Sequence, residues 1–187
     1  MKYITYIKPP KELIQFSEDF TNKYANRIRH NTILGLHCTL RVGRFDKKFE
    51  SRMYDVLKEI EFEPFNISLD GMVELFHPDA VVMKVSKDNN VQTLHQKILD
   101  KLEPYHNREE HDSTVDGFND SNDRSEVIAK YSSPFVAEFY EPHITLCYMH
   151  EPHLPNLSRF KGLTWKVDGF HFARKEDTWH HIGTIKL

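Results

Sequence analysis

GLHCTLRV, residues 35–42, and EPHITLCY, residues 141–148, share one pattern: histidine, any residue, threonine and leucine. Side chains two residues apart on a strand point to the same face, so each pattern keeps its histidine and threonine together. If the two strands lie side by side, two imidazoles and two hydroxyls converge on one spot. The residues expected to line this cleft are His37, Thr39, His143 and Thr145.

Such a cleft suits chemistry on a phosphodiester. Histidine titrates near neutral pH, so one imidazole can accept a proton from a nucleophile while the other donates one to a leaving oxygen. Threonine hydroxyls can donate hydrogen bonds to the non-bridging oxygens of a phosphate. Both proton transfers are accounted for by imidazoles, so we expect no metal ion and no cofactor.

The same alternation names further candidates around the cleft. Arg41 is expected to follow Thr39 on the active face, where it could reach a phosphate, and Cys147 to follow Thr145. Tyr148 carries a ring on which a base could stack, so Arg41 and Tyr148 are candidate substrate-binding residues. The residues expected to alternate away from the cleft, into the core, are Cys38, Leu40, Val42, Ile144, Leu146 and Tyr148 itself.

Other residues admit a functional and a structural interpretation. Tyr140 and Phe76 could also stack on a base, although aromatic residues in strands more often lie in a core. Cys147 would need a nearby base and an exposed thiolate to act as a nucleophile. The histidines that invite a metal site lack a second ligand motif, so we expect them at the surface: His150, His153, His180 and His181.

Hydrophobic periodicity predicts an α+β fold around the two motifs. Strands are expected at residues 2–8, 33–45, 65–76, 79–86, 135–149, 163–173 and 179–186, with a turn at His77-Pro78. Helices are expected at residues 11–29, 46–61 and 89–103. Helices are few, and they do not alternate regularly with the strands, which excludes a doubly wound sheet.

Residues 104–133 interrupt this pattern. The stretch is polar and turn-rich, and residues 103–126 hold eight acidic and two basic residues. We interpret it as a flexible acidic insertion with a short helix at 123–130. The chain as a whole has a net charge of −3, so the remainder carries +3 and suits a small anionic substrate.

The 187 residues are sufficient for one domain with its own core, or for two small lobes that share one. The only cysteines, Cys38 and Cys147, indicate no disulfide framework and a reducing compartment. The N-terminus lacks the apolar run of a signal peptide, and no stretch approaches the ~20 apolar residues of a membrane span. We expect a cytoplasmic monomer without a membrane partner.

With its two His-x-Thr-Leu motifs 106 residues apart, the chain resembles the 2H phosphoesterase superfamily, which includes the 2′-5′ RNA ligase-like (LigT-like) proteins and cyclic nucleotide phosphodiesterases. The resemblance implies one bilobal domain over residues 1–187, in which two antiparallel-sheet lobes related by a pseudo-twofold axis enclose a cleft, with helices outside. It also implies a substrate with a 2′,3′-cyclic phosphate or a 2′-5′ linkage, on a nucleotide or an RNA end.

The resemblance assigns roles to the motif residues. His143 would activate water or a hydroxyl, His37 would protonate the leaving ribose oxygen, and Thr39 and Thr145 would hold the phosphate; the reverse order of the histidines stays open. Three activities other than hydrolysis by this route also remain open: RNA 2′-5′ ligation, nucleotide binding without turnover, and metal-dependent hydrolysis through the other histidines.

Overall fold

A computed structural model describes residues 1–31, 34–77, 79–107, 122–131, 133, 135–150, 156 and 158–187, without the side chains of residues 30, 31, 71–77 and 122–125. The described strands are β1 (Lys2–Ile7), β2 (Ile28–Asn31), β3 (Cys38–Arg44), β4 (Phe65–His77), β5 (Ala80–Val85), β6 (His143–Met149), β7 (Thr164–Val167), β8 (Gly169–Lys175) and β9 (Trp179–Lys186). The described helices are α1 (Lys11–Lys23), α2 (Glu50–Lys58), α3 (Asn89–Leu102) and α4 (Asn122–Tyr131).

The strands form a sheet in the order β7-β4-β5-β6-β3-β1-β8-β9, with β2 paired to β6, and every paired neighbour is antiparallel. The two motif strands, β3 and β6, lie side by side at its centre. A first half, β3-β1-β8-β9, and a second half, β6-β5-β4-β7, meet there. The unit β1-α1-β3 of the first half recurs as β5-α3-β6 in the second, so the predicted α+β fold with two related antiparallel lobes is confirmed.

The helices cover one face of the sheet because each presents an apolar stripe at helical spacing. Leu13 of α1, Met53 of α2 and Leu94 of α3 are fully buried in one cluster with inward strand residues such as Phe172. We call this side the helix face. The opposite side, which carries the motif histidines, is called the cleft face. No helix of the described residues is long and apolar enough to cross a membrane.

Several elements differ in extent from those predicted. The first helix ends at Lys23 instead of continuing to residue 29, because Ile28 pairs with Met149 in the sheet and its apolar side chain belongs to β2. The strand predicted from residue 33 begins at Cys38, and the one predicted from residue 135 begins at His143, after a short 3-10 helix. In both cases sheet pairing starts only at the motif.

Two further elements are divided. Asp168 divides the strand predicted at 163–173 into β7 and β8, which pair with opposite ends of the sheet. The helix predicted at 46–61 is a 3-10 turn over Lys47–Phe49 followed by α2. Strands were predicted on both sides of the turn at His77-Pro78, and β4 and β5 confirm them; Pro78 itself lies outside the described residues.

The short helix predicted at 123–130 is confirmed as α4. Its Val127 and Tyr131 pack against Leu99 of α3 and against Val136 in a separate apolar cluster. This burial gives the last part of the acidic stretch an attachment to the body of the protein. Residues 108–121 of the predicted insertion lie outside the described residues.

Each motif strand carries a β-bulge at the same position of its motif. In β3, Thr39 pairs with Tyr6 and Arg41 with Thr5, so Leu40 is the extra residue. In β6, Thr145 pairs with Val82 and Cys147 with Val81, so Leu146 is the extra residue. A bulge moves the following residues to the opposite face. In each motif the histidine and threonine therefore lie on the cleft face. The residues after the bulge point to the face opposite to the one that regular strand alternation predicts.

Side chains from the second half hold the backbone of the first bulge. His95 of α3 is buried, and its Nδ1 lies 2.5 Å from the carbonyl oxygen of Leu40. Its Nε2 accepts a hydrogen bond from the Ala137 amide at 3.0 Å, so Nδ1 carries the proton and donates to Leu40. The imidazole stacks on Tyr140 at 3.9 Å, and the Tyr140 hydroxyl donates to the carbonyl of Thr39 at 2.9 Å. Both carbonyls at the bulge are thereby satisfied.

We expect His95→Phe to lower the free energy of unfolding by about 2–4 kcal/mol at neutral pH, because it leaves the Leu40 carbonyl and the Ala137 amide unpaired inside the protein. Burial lowers the pKa of His95 to about 4. Between pH 6.5 and 4, His95 therefore binds a proton in the unfolded chain but not in the folded protein. The free energy of unfolding of the wild type should fall as the pH drops through this range.

Urea denaturation at pH 7 and pH 5 measures both effects. His95→Phe should weaken the pH dependence, whereas the matched variant His180→Gln, at an exposed position, should retain it. If His95→Phe had the same pH dependence as the wild type, the neutral, buried state of His95 would be contradicted.

Candidate active site

The register between the motif strands brings the four motif side chains together. Strands β3 and β6 are antiparallel neighbours, and Cys38 pairs with Ile144. We call the line along which these two strands meet the seam. One residue to either side of this pair, His37 lies across from Thr145, and Thr39 lies across from His143. Residues directly opposite each other share a face of the sheet. The convergence predicted from the sequence therefore follows from the backbone pairing.

Both imidazoles are oriented by the same local contact. Nδ1 of His37 lies 2.7 Å from the carbonyl oxygen of Gly35, and Nδ1 of His143 lies 2.8 Å from that of Glu141. In each motif the acceptor is two residues upstream. A carbonyl oxygen only accepts, so Nδ1 carries the proton in both rings and Nε2 is the atom left for proton exchange. Gly35 adopts a φ of +76°, which glycine tolerates without strain.

The electrostatic environment favours a neutral His37. Burial lowers the pKa of His37, the Gly35 carbonyl opposes this effect, and the charge of nearby His143 lowers the pKa further. The influence of His143 shows that the two imidazoles are close enough to repel each other when both are protonated. A pair of this kind holds one proton more readily than two.

The neighbouring strands contribute two residues that the sequence analysis missed. Lys84 of β5 pairs directly with His143 and lines a cavity of about 160 Å³ with Asp70, Lys87 and Glu141. Tyr6 of β1 pairs with Thr39, and its ring makes an edge-to-face contact with His37, with 5.6 Å between the ring centroids. Neither residue belongs to a motif, and only the strand order could have revealed them.

The prediction that Arg41 shares the face of His37 is wrong. The bulge at Leu40 turns Arg41 to the helix face, where its side chain is 3% exposed. Its Nη2 donates to the carbonyl of Tyr131 in α4 at 2.8 Å, and its guanidinium lies 6.0 Å from the centroid of Phe45. Arg41 therefore links β3 to α4 and does not reach the cleft.

The equivalent bulge at Leu146 corrects two predictions in the second motif. Cys147 does not follow Thr145 on the active face; it is buried in the core, and burial raises its pKa to about 11. Tyr148, which strict alternation placed in the core, shares the cleft face with Thr145 and is half-buried. Substrate binding by Tyr148 stays a prediction.

The remaining candidates are placed as follows. Cys38 is fully buried, as predicted. Tyr140 is also buried, on the helix face beside His95, and has no ring face for a base. His150 is exposed, as expected. His180 is exposed and pairs with Glu176 at 3.3 Å. The side chain of Phe76, and the whole of His153, lie outside what the structure describes.

His181 is exposed, as expected for a surface histidine, but it does not stand alone, since it contacts His171 on the cleft face. Within the described ranges, no group of three or more histidine, cysteine, aspartate or glutamate residues is arranged to hold a metal ion.

Comparison with known proteins agrees with this arrangement. A model of the 2′-5′ RNA ligase superfamily matches residues 9–179. The solved structure of TT0787 from Thermus thermophilus is similar, with a TM-score of 0.63 at 17% identity over 100% of this chain and 98% of that one. E. coli LigT complexed with 3′-AMP has a TM-score of 0.64 at 14% identity over 100% and 97%. A structure described as a phosphoesterase has a TM-score of 0.61 at 14% identity over 100% and 98%.

A search of curated protein sequences finds no match. At the identities above, the solved structures show a common fold and nothing finer. The match to the family model covers most of the chain and includes both motifs.

The assignment of Arg41 to the helix face can be tested by stability. Arg41→Met should lower the free energy of unfolding by about 2 kcal/mol, because the buried carbonyl of Tyr131 loses a charged donor. Urea denaturation measures the change, with Arg52→Met on the exposed side of α2 as the matched control. Equal stability of the two variants would contradict the assignment.

Proposed function

This chain belongs to the 2′-5′ RNA ligase superfamily, within the 2H phosphoesterases, and from this premise we propose that it hydrolyses 2′,3′-cyclic phosphates or 2′-5′ linkages on nucleotides or RNA ends. The observation that carries the proposal is the pair of imidazoles across the β3–β6 seam, each with Nδ1 held by a carbonyl two residues upstream. Two equivalent Nε2 atoms on one face are what a reaction with one proton accepted and one donated requires.

In the proposed reaction on a cyclic phosphate, His37 takes a proton from water as the water oxygen bonds to phosphorus. The bond from phosphorus to one ribose oxygen breaks, and His143 donates a proton to that oxygen. The lowered pKa of the half-buried His37 supports this order, because a base must be neutral before the reaction. It is the reverse of the order that family resemblance favours and agrees with the alternative left open there.

The remaining residues of the site act on the phosphate. The hydroxyls of Thr39 and Thr145, each across the seam from the other motif's histidine, donate to the non-bridging oxygens. The ammonium of Lys84, next to His143 in the sheet, offsets charge that develops on the phosphate. All proton transfers pass through imidazoles, so the proposed hydrolysis is independent of metal ions. With a ribose hydroxyl in place of water as the nucleophile, the same groups would join RNA ends by a 2′-5′ linkage.

The substrate class also draws on relatives. E. coli LigT has been solved with 3′-AMP and with phosphate. A nucleotide that carries its phosphate on the ribose is the product expected from a 2′,3′-cyclic phosphate. By this analogy, the phosphate of such a nucleotide would lie between His37 and His143 in the present chain.

We expect His37→Ala and His143→Ala each to lower kcat for 2′,3′-cyclic CMP by about 10²–10⁴-fold, because each removes one proton transfer. The assay is run in EDTA, where the wild type should retain its activity. His180→Ala, on the helix face, serves as the matched control, and far-UV circular dichroism checks the fold. Full activity in both motif variants would refute the proposed function.

The order of the two histidines can be tested by NMR titration of the imidazole Cε1–H signals, assigned with His37→Asn. The signal of His37 should titrate below 6.5 in the free protein, since burial and His143 both disfavour its charged form. Adding thymidine 3′-phosphate should raise this pKa, because an anion stabilises the imidazolium. A His37 that titrates above 6.5 in the free protein would favour His143 as the base.

A further inference from the structure

The site is part of a longer row of paired residues that crosses the sheet. Thr39 pairs with Tyr6, Tyr6 pairs with His171 of β8, and His171 pairs with Thr184 of β9. Paired residues share a face, so this row extends the cleft face from the motifs to the outer edge of the first half. The Tyr6 ring connects the two ends, in an edge-to-face contact with His37 and stacked on His171 with 5.1 Å between the ring centroids.

At the outer end of this row, three polar atoms meet. Nδ1 of His171 lies 3.2 Å from Nε2 of His181, and Oγ1 of Thr184 lies 3.0 Å from the first and 3.3 Å from the second. A bulge at Ile182 makes this possible, because His181 pairs with Ala173 while Thr184 pairs with His171. His181 and Thr184 are exposed and His171 is half-buried, so the three atoms form an accessible patch. We call these residues the outer triad.

The charges around the outer triad favour an anion over a cation. Burial, followed by the charges of Lys8, His181 and Lys186, lowers the pKa of His171 to about 4, so the ammonium groups of two lysines act on this point. Asp168 lies 3.9 Å from Lys186 and offsets it in part. An anion against the triad would accept a hydrogen bond from the Thr184 hydroxyl and would be attracted by the ammonium groups of Lys8 and Lys186.

We infer that the outer triad binds a second phosphate of an extended oligonucleotide whose reacting phosphate lies between His37 and His143. This rests on the proposed function and narrows its substrate class to RNA ends, because a mononucleotide with one phosphate cannot occupy both places. The triad lies two to three strands from the seam, which is roughly 10–15 Å at the usual spacing of strands. A phosphate two linkages along the chain from the reacting one, beyond the adjacent phosphate, is the group of an RNA end that would reach it.

The test compares two uncleavable ligands by isothermal titration: the deoxytrinucleotide TpTpTp with a 3′-terminal phosphate, and the same molecule with neutral methylphosphonate internal linkages. Both carry the same bases and the same terminal phosphate. The wild type should prefer the charged ligand by about tenfold, the effect of one charge-assisted hydrogen-bonded contact. Thr184→Val and His181→Gln should each reduce this preference. His180→Gln, next in sequence but on the opposite face, should retain it.

Equal affinity of the wild type for both ligands, or binding of neither, would overturn the inference, and so would a preference that both triad variants keep. The proposed function is judged separately, by turnover of 2′,3′-cyclic CMP. Turnover without a preference for the charged backbone refutes the outer triad alone. A preference without turnover refutes hydrolysis and leaves the triad as a site for the nucleic-acid backbone.

Discussion

The antiparallel pairing of Cys38 with Ile144 is the contact on which the site depends. It places each histidine opposite the other motif's threonine, and it joins the two halves of the sheet along their central strands. A shift of one residue would turn one motif's side chains into the core. The buried Cys38 and Ile144 resist such a shift, because neither the thiol nor the isoleucine would gain from exposure in the cleft.

Much of this could be predicted from the sequence. The two His-x-Thr-Leu motifs predict the two central strands and the face on which the histidine and threonine of each motif lie. This is possible because the alternation of side chains along a strand depends only on the local sequence. The rule holds for three residues and then fails at Leu40 and Leu146, where the bulges depend on pairing with β1 and β5. For this reason Arg41 and Cys147 were predicted on the wrong face. Lys84 and Tyr6 could not be found either, since their place follows from strand order alone.

The two halves have similar backbones but different side chains. Next to the motif threonines, the first half presents the Tyr6 ring and the second half the aliphatic Val82. The first half alone continues into the outer triad, whereas the second half lines a cavity with Lys84 and Asp70. A symmetric pair of imidazoles thus stands in an asymmetric environment, which allows one to act as base and the other as acid.

The stack of His95 on Tyr140 has a consequence for how the halves fold. Both residues belong to the second half of the chain, yet they hold the Thr39 and Leu40 carbonyls of the first motif. A fragment ending before β4 would contain the first motif without the groups that fix its backbone. That fragment alone would therefore not form the first half of the site, and a protein expressed as two pieces would regain it only when the pieces reassociate. The symmetric architecture behaves as one cooperative unit, not as two interchangeable repeats.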